Sequence, residues 1–525
     1  MAKLPIGIQS FENIRRDGYV YIDKTSYINK LANSGKVYFL SRPRRFGKSL
    51  FVSTLEAYFR GQAELFRGLD IEKTEDKKPE DERWIEYPVI KFSLSGGDYN
   101  SPKGLSETLS YYLRSFERQM GIEHDDSLDL PNQFRYCIES AFEMTGRRVV
   151  VLVDEYDKPL LETMTVNEKQ EDRNRILFKG VFSVLKDMDS YLKFVFFTGV
   201  TKFSKVSIFS DLNQLRDISL LPDYSGICGI SEAELVENLK VEIQATAEHN
   251  GFSYDECMQR LAEMYDGYHF SADSDGMYNP FSILNALADG NFGNYWFETG
   301  TPTFLINKLR ASSYDAKDML DGLRISERSL SDYRPENPDP VPLFYQSGYL
   351  TIKSWNPRFR TYILDFPNDE VKNSFLEDLL PLEFNIESRS ASSILEKFVN
   401  ALEAGKTDDF MLILQSLFAG IPYAEGNVPF QEREWRNQMY LVFTLIGAYV
   451  KTEIHSAVGR CDCIVETSDY VYVMEFKTDS DPAKALVQIE EKQYAIPYVS
   501  DSRRIIKVGA TFSSEGKGLM NWKAV

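Results

Sequence analysis

Three clusters in this 525-residue chain combine residue types and spacings that can handle phosphate esters. The first is Arg42-Pro43-Arg44-Arg45-Phe46-Gly47-Lys48-Ser49. Its second half matches the phosphate loop G-x-x-x-x-G-K-[ST]. In such a loop, backbone N–H groups at a helix N-terminus cradle phosphates, the lysine reaches the β- and γ-phosphates, and the hydroxyl holds Mg2+. Arg42 stands where that pattern has its first glycine. The second cluster is Asp154-Glu155, at the end of the apolar run VVVLV. There Asp154 is expected to hold Mg2+ through water, with Glu155 activating an attacking water. The third is Asp462, then Glu475 and Lys477, which lie two apart and so share one face of a strand. A carboxylate and an ammonium at the end of a buried strand cost several kcal/mol unless paired or bound to metal.

A bare Gly-Lys-Ser is common by chance, so its context decides. VYFL precedes the loop as a strand, and KSLFVSTLEAYF follows it as a helix with Leu50, Leu55 and Phe59 near one stripe. The wholly apolar VVVLV reads as a central parallel strand, and parallel sheets bind ligands at their carboxyl ends. A further strand, KFVFFTGVTKFS, brings Thr198 and Thr201 to the same end, where a hydroxyl is placed to sense a γ-phosphate. Strands alternating with helices to about residue 225 give an α/β fold with a parallel sheet. Ser231 and Glu234 form a capping box ahead of a helical stretch. RPENPDPVP, 334–342, reads as a rigid linker, and YLTIKSW, NPRF and RTYILDF as strand, turn, strand, the wing of a small helical domain. From about 430 a helix, three strands, a helix and a strand form a second α/β unit. In it a hairpin would set Asp462 beside Glu475. Glu453 lies on the preceding strand, and Glu432 and Glu434 on the opening helix.

The chain resembles bacterial AAA-ATPase-like proteins that end in a PD-(D/E)XK nuclease domain. The resemblance rests on YIDKT (21–25), RPRRFGKS (42–49), LVDEYD (152–157), TGVTKFSKVSIFSDLNQL (198–215), YDGY (265–268), YNPFS (278–282), YQSGYLTI (345–352), GRCD and EFK. It implies a P-loop ATPase core over 1–225, a helical lid over 226–300, a helical linker region with a wing hairpin over 301–428, and a restriction-endonuclease-like α/β domain over 429–525. It makes Arg42 a family trait. Gly47, Lys48, Ser49, Asp154 and Thr198 become nucleotide-binding residues, with Ser49 and Asp154 on Mg2+. Arg44 and Arg45 are either phosphate contacts or a solvated basic patch. Glu155 becomes the ATPase base. Asp462 and Glu475 become the carboxylates that hold Mg2+ against a scissile phosphate, with Lys477 as the charge-stabilising amine. Gln488, Gly459 and Arg460 fit the superfamily pattern. Tyr265-Asp266-Gly267-Tyr268 falls in the lid, with Gly267 in a turn and the tyrosines packed. Arg173, Arg175 and Arg216 are equivalent candidates for an arginine finger.

The net charge of −19 excludes a protein coated in nonspecific nucleic-acid affinity. Positions 430–525, however, hold 12 Lys or Arg against 13 Asp or Glu, so the acidic surplus lies elsewhere and a phosphodiester substrate is compatible. Five cysteines, odd in number, fit reduced thiols in the cytoplasm; Cys461 and Cys463 read as small buried residues rather than zinc ligands. With no apolar leader and no run of 18 apolar residues, no membrane association is expected. The expectation is therefore an ATP- and Mg2+-dependent hydrolase coupled to a nuclease acting on DNA. Nothing in the residues decides between DNA and RNA, and homo-oligomerisation is left open. The rival reading is a signalling or scaffold ATPase whose nuclease fold binds nucleic acid without cutting.

Overall fold

The computed structural model describes residues 2–164, 166–202, 208–209, 212–297, 303–310, 312, 322–331, 339–386, 388–420, 432–447, 451–453, 461–515 and 518–525; for some, including 432–437 and 451–453, it describes the backbone path alone. The chain divides into two compact units, Met1–Gly300 with Gly322–Glu370, and Thr301–Asp321 with Val371–Val525.

The first unit is built on five parallel strands: β1 (Val37–Ser41), β2 (Val89–Ser93), β3 (Val149–Asp154), β4 (Leu192–Gly199) and β5 (Arg216–Asp217), in the order β2-β3-β4-β1-β5. β1, β3 and β4 coincide with the three runs VYFL, VVVLV and KFVFFTGV. All six residues of β3 are buried, which is why that strand shows no polar alternation. Each fully buried Val, Leu or Phe contributes roughly 1.5–3 kcal/mol. Parallel pairing puts Ser41, Asp154 and Thr198 at one end of the sheet, and the helix Lys48–Phe59 starts there.

Past the sheet, the helix Glu232–Asn250 opens with the capping box expected at Ser231 and Glu234, and the helix Tyr254–Tyr265 with a second box, Ser253 and Glu256. With Pro280–Asp289 they enclose Leu235, Leu239, Ile243, Leu261, Tyr265 and Ile283. Gly267, at φ +91°, could not be another residue: a Cβ would lie 2.2 Å from the Pro367 carbonyl oxygen. β6 (Leu323–Ser326), β7 (Thr351–Asn356) and β8 (Thr361–Asp365) form an antiparallel sheet in the order β6-β8-β7. The strand-turn-strand reading thus holds and gains a third strand. The linker expected over 334–342 lies outside the described residues as far as 338. Its end is not extended: Val341 and Pro342 open the helix Val341–Ser347, since proline is tolerated in a first helical turn.

The second unit carries the sheet β13-β12-β11-β10-β9, with β9 Lys451–Glu453, β10 Cys463–Glu466, β11 Tyr470–Thr478, β12 Arg504–Phe512 and β13 Leu519–Ala524. β11 and β12 are parallel, and the helix Pro482–Glu491 between them packs on both. On the opposite side Tyr472 donates to the Leu402 carbonyl at 2.6 Å, Phe410 meets Tyr472, and Phe418 meets Phe512. The helices Ser388–Glu403 and Thr407–Ala419 therefore complete this unit's core. The packed units divide at 300/301, where a boundary was placed, but the region expected over 301–428 is shared between them: the hairpin sheet goes with the first, and these two helices go with the second.

Candidate functional site

At the sheet's carboxyl end the loop from Arg42 to Gly47 joins β1 to its helix. Gly47 caps that helix at φ +91°, a conformation that favours glycine, and Arg45 sits at φ +64°. Arg42 is buried. Its guanidinium donates to the carbonyls of Ser41 (2.9 Å), Ser219 (2.8 Å) and Tyr224 (2.9 Å) and stacks 3.9 Å over Phe270. Where a glycine would give the loop slack, Arg42 ties it to the segment after β5 and to Phe270. Trp296 adds a further tie, its indole N–H donating to the Arg44 carbonyl at 3.0 Å. Phe46 packs edge-on against Tyr268.

Lys48 is buried, and its Nζ donates to the carbonyls of Arg42 and Pro43, each at 2.9 Å. Burial lowers its pKa, against the opposing pull of Asp154, Asp157 and Glu155. Arg44 and Arg45 are exposed, and Arg45 lies 5.0 Å over the Phe281 ring. Along with Gly47, Lys48, Ser49 and Glu155 they border a cavity of about 380 Å³. Beside it an apolar hollow of about 90 Å³ is lined by Tyr21, Ile22, Phe46, Ile230 and Leu284.

Asp154 accepts a 2.5 Å hydrogen bond from the Thr198 hydroxyl and reaches, with Ser49, a second cavity of about 530 Å³. Thr198 is wholly buried and its hydroxyl meets Asp154, because adjacent parallel strands bring the two together. The Thr201 hydroxyl likewise meets Asp157. Glu155 has φ +56°, a strain of about 1–3 kcal/mol for a non-glycine residue. Its carboxyl is raised above its ordinary range by burial and by the charge of Asp154. Asp157, which sequence reasoning passed over, is fully buried and accepts from Val200 N, Thr201 N and the Thr201 hydroxyl, stapling the turn after β4. The signal was present: it stands three residues after Asp154, where a helix begins. Of the arginine-finger candidates, Arg175 pairs within its own helix with Asp172 and Glu171.

In the second unit, antiparallel register pairs Cys463 with Met474, which sets Asp462 opposite Glu475. Asp462 Oδ2 accepts from Phe476 N at 2.8 Å. Glu475 Oε1 accepts from Lys477 Nζ at 3.1 Å and from the Gln488 amide, so both expected neighbours come to it. Its other oxygen, Oε2, is buried and accepts no hydrogen bond. Burial, reinforced by Asp462, raises the Glu475 carboxyl from its ordinary 4.5 to about 7. Among the described residues no three His, Cys, Asp or Glu side chains gather as a metal cluster. Asp462 and Glu475 are a pair, and pairs suffice for Mg2+, which usually completes its shell with water and substrate phosphate. Glu453 is paired in register with Ile464, but its side chain, like those of Glu432 and Glu434, lies outside the described residues, as do Gly459 and Arg460. Cys461 and Cys463 are buried free thiols, as expected. Among the described residues no helix is long and apolar enough to cross a membrane.

Residues 5–209 match a family described as predicted AAA-ATPase, and residues 430–522 match the PD-(D/E)XK nuclease superfamily. A relative from Azotobacter chroococcum mcd 1, an uncharacterized protein in the vnfD 5' region, is 35% identical over 537 residues, covering 99% of this chain and 98% of its own length. The ORC2 protein of Aeropyrum pernix, solved as ADPNP and ADP complexes, aligns with 70% of this chain and 91% of its own. At 11% identity and a TM-score of 0.28 it carries no argument. By the full-length relative and the two matched domains, this chain belongs to the AAA-ATPase-like proteins that carry a C-terminal domain of the PD-(D/E)XK nuclease superfamily.

Proposed function

We propose that the protein binds and hydrolyses ATP with Mg2+ at the loop site and that this cycle governs a Mg2+-dependent nuclease site that cuts DNA. The observation that carries the reading is the orphaned Oε2 of Glu475, buried beside Asp462 while Oε1 is already held by Lys477 and Gln488. A buried carboxylate oxygen without a partner is expensive, and a divalent cation is the partner that an all-oxygen pair fits. Mg2+ held by Asp462 and Glu475 would supply Lewis-acid charge to the oxygens of a phosphodiester. Gln488 keeps Glu475 turned to its place. The Lys477 ammonium, part-exposed at the same edge, presents positive charge where negative charge builds on the scissile phosphate.

At the loop site Lys48 would exchange the carbonyls of Arg42 and Pro43 for oxygens of the β- and γ-phosphates, with Arg44 and Arg45 flanking them. Ser49 and Asp154 would hold the Mg2+, and Thr198 fixes the Asp154 carboxylate. Glu155, made more basic by burial and by the charge of Asp154, is suited to accept a proton from the attacking water. The apolar hollow beside the loop suits the flat face of a base. The test incubates the full chain with plasmid and single-stranded DNA, with Mg2+ or Mn2+, with and without ATP. Cleavage that vanishes in Glu475→Ala and loses its ATP response in Lys48→Ala supports the proposal. Cleavage unchanged in Glu475→Ala sinks the nuclease half, and an ATP response unchanged in Lys48→Ala sinks the coupling.

A further inference from the structure

The loop between β7 and β8 reads Pro357-Arg358-Phe359-Arg360, and Phe359 is 66% exposed with the Arg358 guanidinium 5.3 Å from its ring. A large aromatic held in water between two arginines gains nothing for folding. The loop is nonetheless built, not slack. Arg360, at φ +50°, donates to the Glu327 carboxylate at 2.9 Å, while Glu327 N donates to the Arg360 carbonyl at 3.0 Å. Trp355 and Tyr362 pack ring against ring, 4.4 Å apart, at its base.

The surroundings share its charge. The face of the three-stranded sheet that carries Ser354, Asn356 and Ser326 is open to solvent and bears Arg324, paired in register with Ile363. Arg328 is exposed one residue after Glu327. The hairpin from Lys353 to Arg360 contains three basic side chains and no acidic one, in a chain of net charge −19. The helix before β7, Val341–Ser347, is buried at every position, so it cannot enter a groove. What this small domain offers a partner is its hairpin end.

We infer that the β7–β8 hairpin and its sheet face form a docking surface for duplex DNA, separate from the nuclease site. Arg324, Arg328 and Arg358 contact backbone phosphates, and Phe359 acts as an apolar wedge against the bases. Phosphate contacts made this way release counterions and so reveal themselves in the salt dependence of binding.

The test measures binding of the full chain to a fluorescent duplex by anisotropy, with EDTA present so that no cleavage occurs, between 50 and 200 mM salt. Binding is read without reference to cutting, so it stands whether or not the nuclease reading does. In R324Q/R328Q/R358Q the slope of log K against log salt is expected to flatten by about 3. The R324K/R328K/R358K variant keeps the wild-type slope, and F359A weakens binding with the slope unchanged. A circular dichroism spectrum and melting temperature equal to those of the wild type verify that the variants are folded. A glutamine variant whose slope stays within one unit of wild type overturns the inference. So does equal loss of binding in the lysine variant.

Discussion

Glu475→Gln is expected to make the metal-free protein more stable at pH 8 and to leave it unchanged near pH 4.5. The carboxyl titrates near 4.5 when unfolded and at about 7 in the folded chain, where its side chain is 3% exposed. Because the folded state holds the proton more tightly, stability falls as pH rises from about 4.5 to about 7. The full penalty is present above that window and absent below it. The difference corresponds to about 3 kcal/mol at pH 8. The substituted amide would remove it while keeping one carbonyl for the Gln488 amide. That figure already contains the attraction of Lys477, which pulls the carboxyl down. A gain of about 3 kcal/mol should raise the melting temperature of a unit of this size by roughly 6–12 °C. Scanning calorimetry of the full chain at pH 5 and pH 8, with EDTA and with Mg2+, measures it. Mg2+ should stabilise the wild type and not the variant. A variant destabilised alike at both pH values would refute the reasoning, for then Glu475 is an ordinary paired carboxylate.

Three further outcomes follow from the loop site and the lid. Glu155→Gln should retain ATP binding while phosphate release falls about 10²–10⁴-fold, the usual loss on removing a general base; equal release in both proteins would assign the proton elsewhere. Arg42→Gly restores the residue of the standard phosphate loop, yet leaves three carbonyls without their donor and a void beside Phe270. It should cost at least about 3 kcal/mol in thermal unfolding and weaken ATP binding. Gly267→Ala sets a methyl 2.2 Å from the Pro367 oxygen at φ +91°, so limited proteolysis should open the lid region.

Much of this was legible in the chain. Strands β1, β3 and β4 are buried along all or nearly all their length, and so their composition alone gives them away, whereas β5 has two residues and β13 is an edge strand with most side chains exposed. The spacing of Asp462 and Glu475 marked a hairpin because both arms of it are local. Arg42 was unreadable for the opposite reason: its partners Ser219 and Tyr224 stand 177 and 182 residues away. Thr198 was placed at the right end of the sheet, but its bond to Asp154 was not legible, since a hydroxyl at a strand terminus does not reveal which neighbouring strand carries an acid. The helices covering the second sheet looked like a separate region because their apolar faces do not name the surface they meet.

The central claim is that two clusters of carboxylates each take a divalent ion. Titrating Mn2+ into the full chain with a non-hydrolysable ATP analogue counts those ions directly. Two sites are predicted, with Asp154→Asn removing one and Glu475→Gln the other. A count that neither substitution changes would contradict the account.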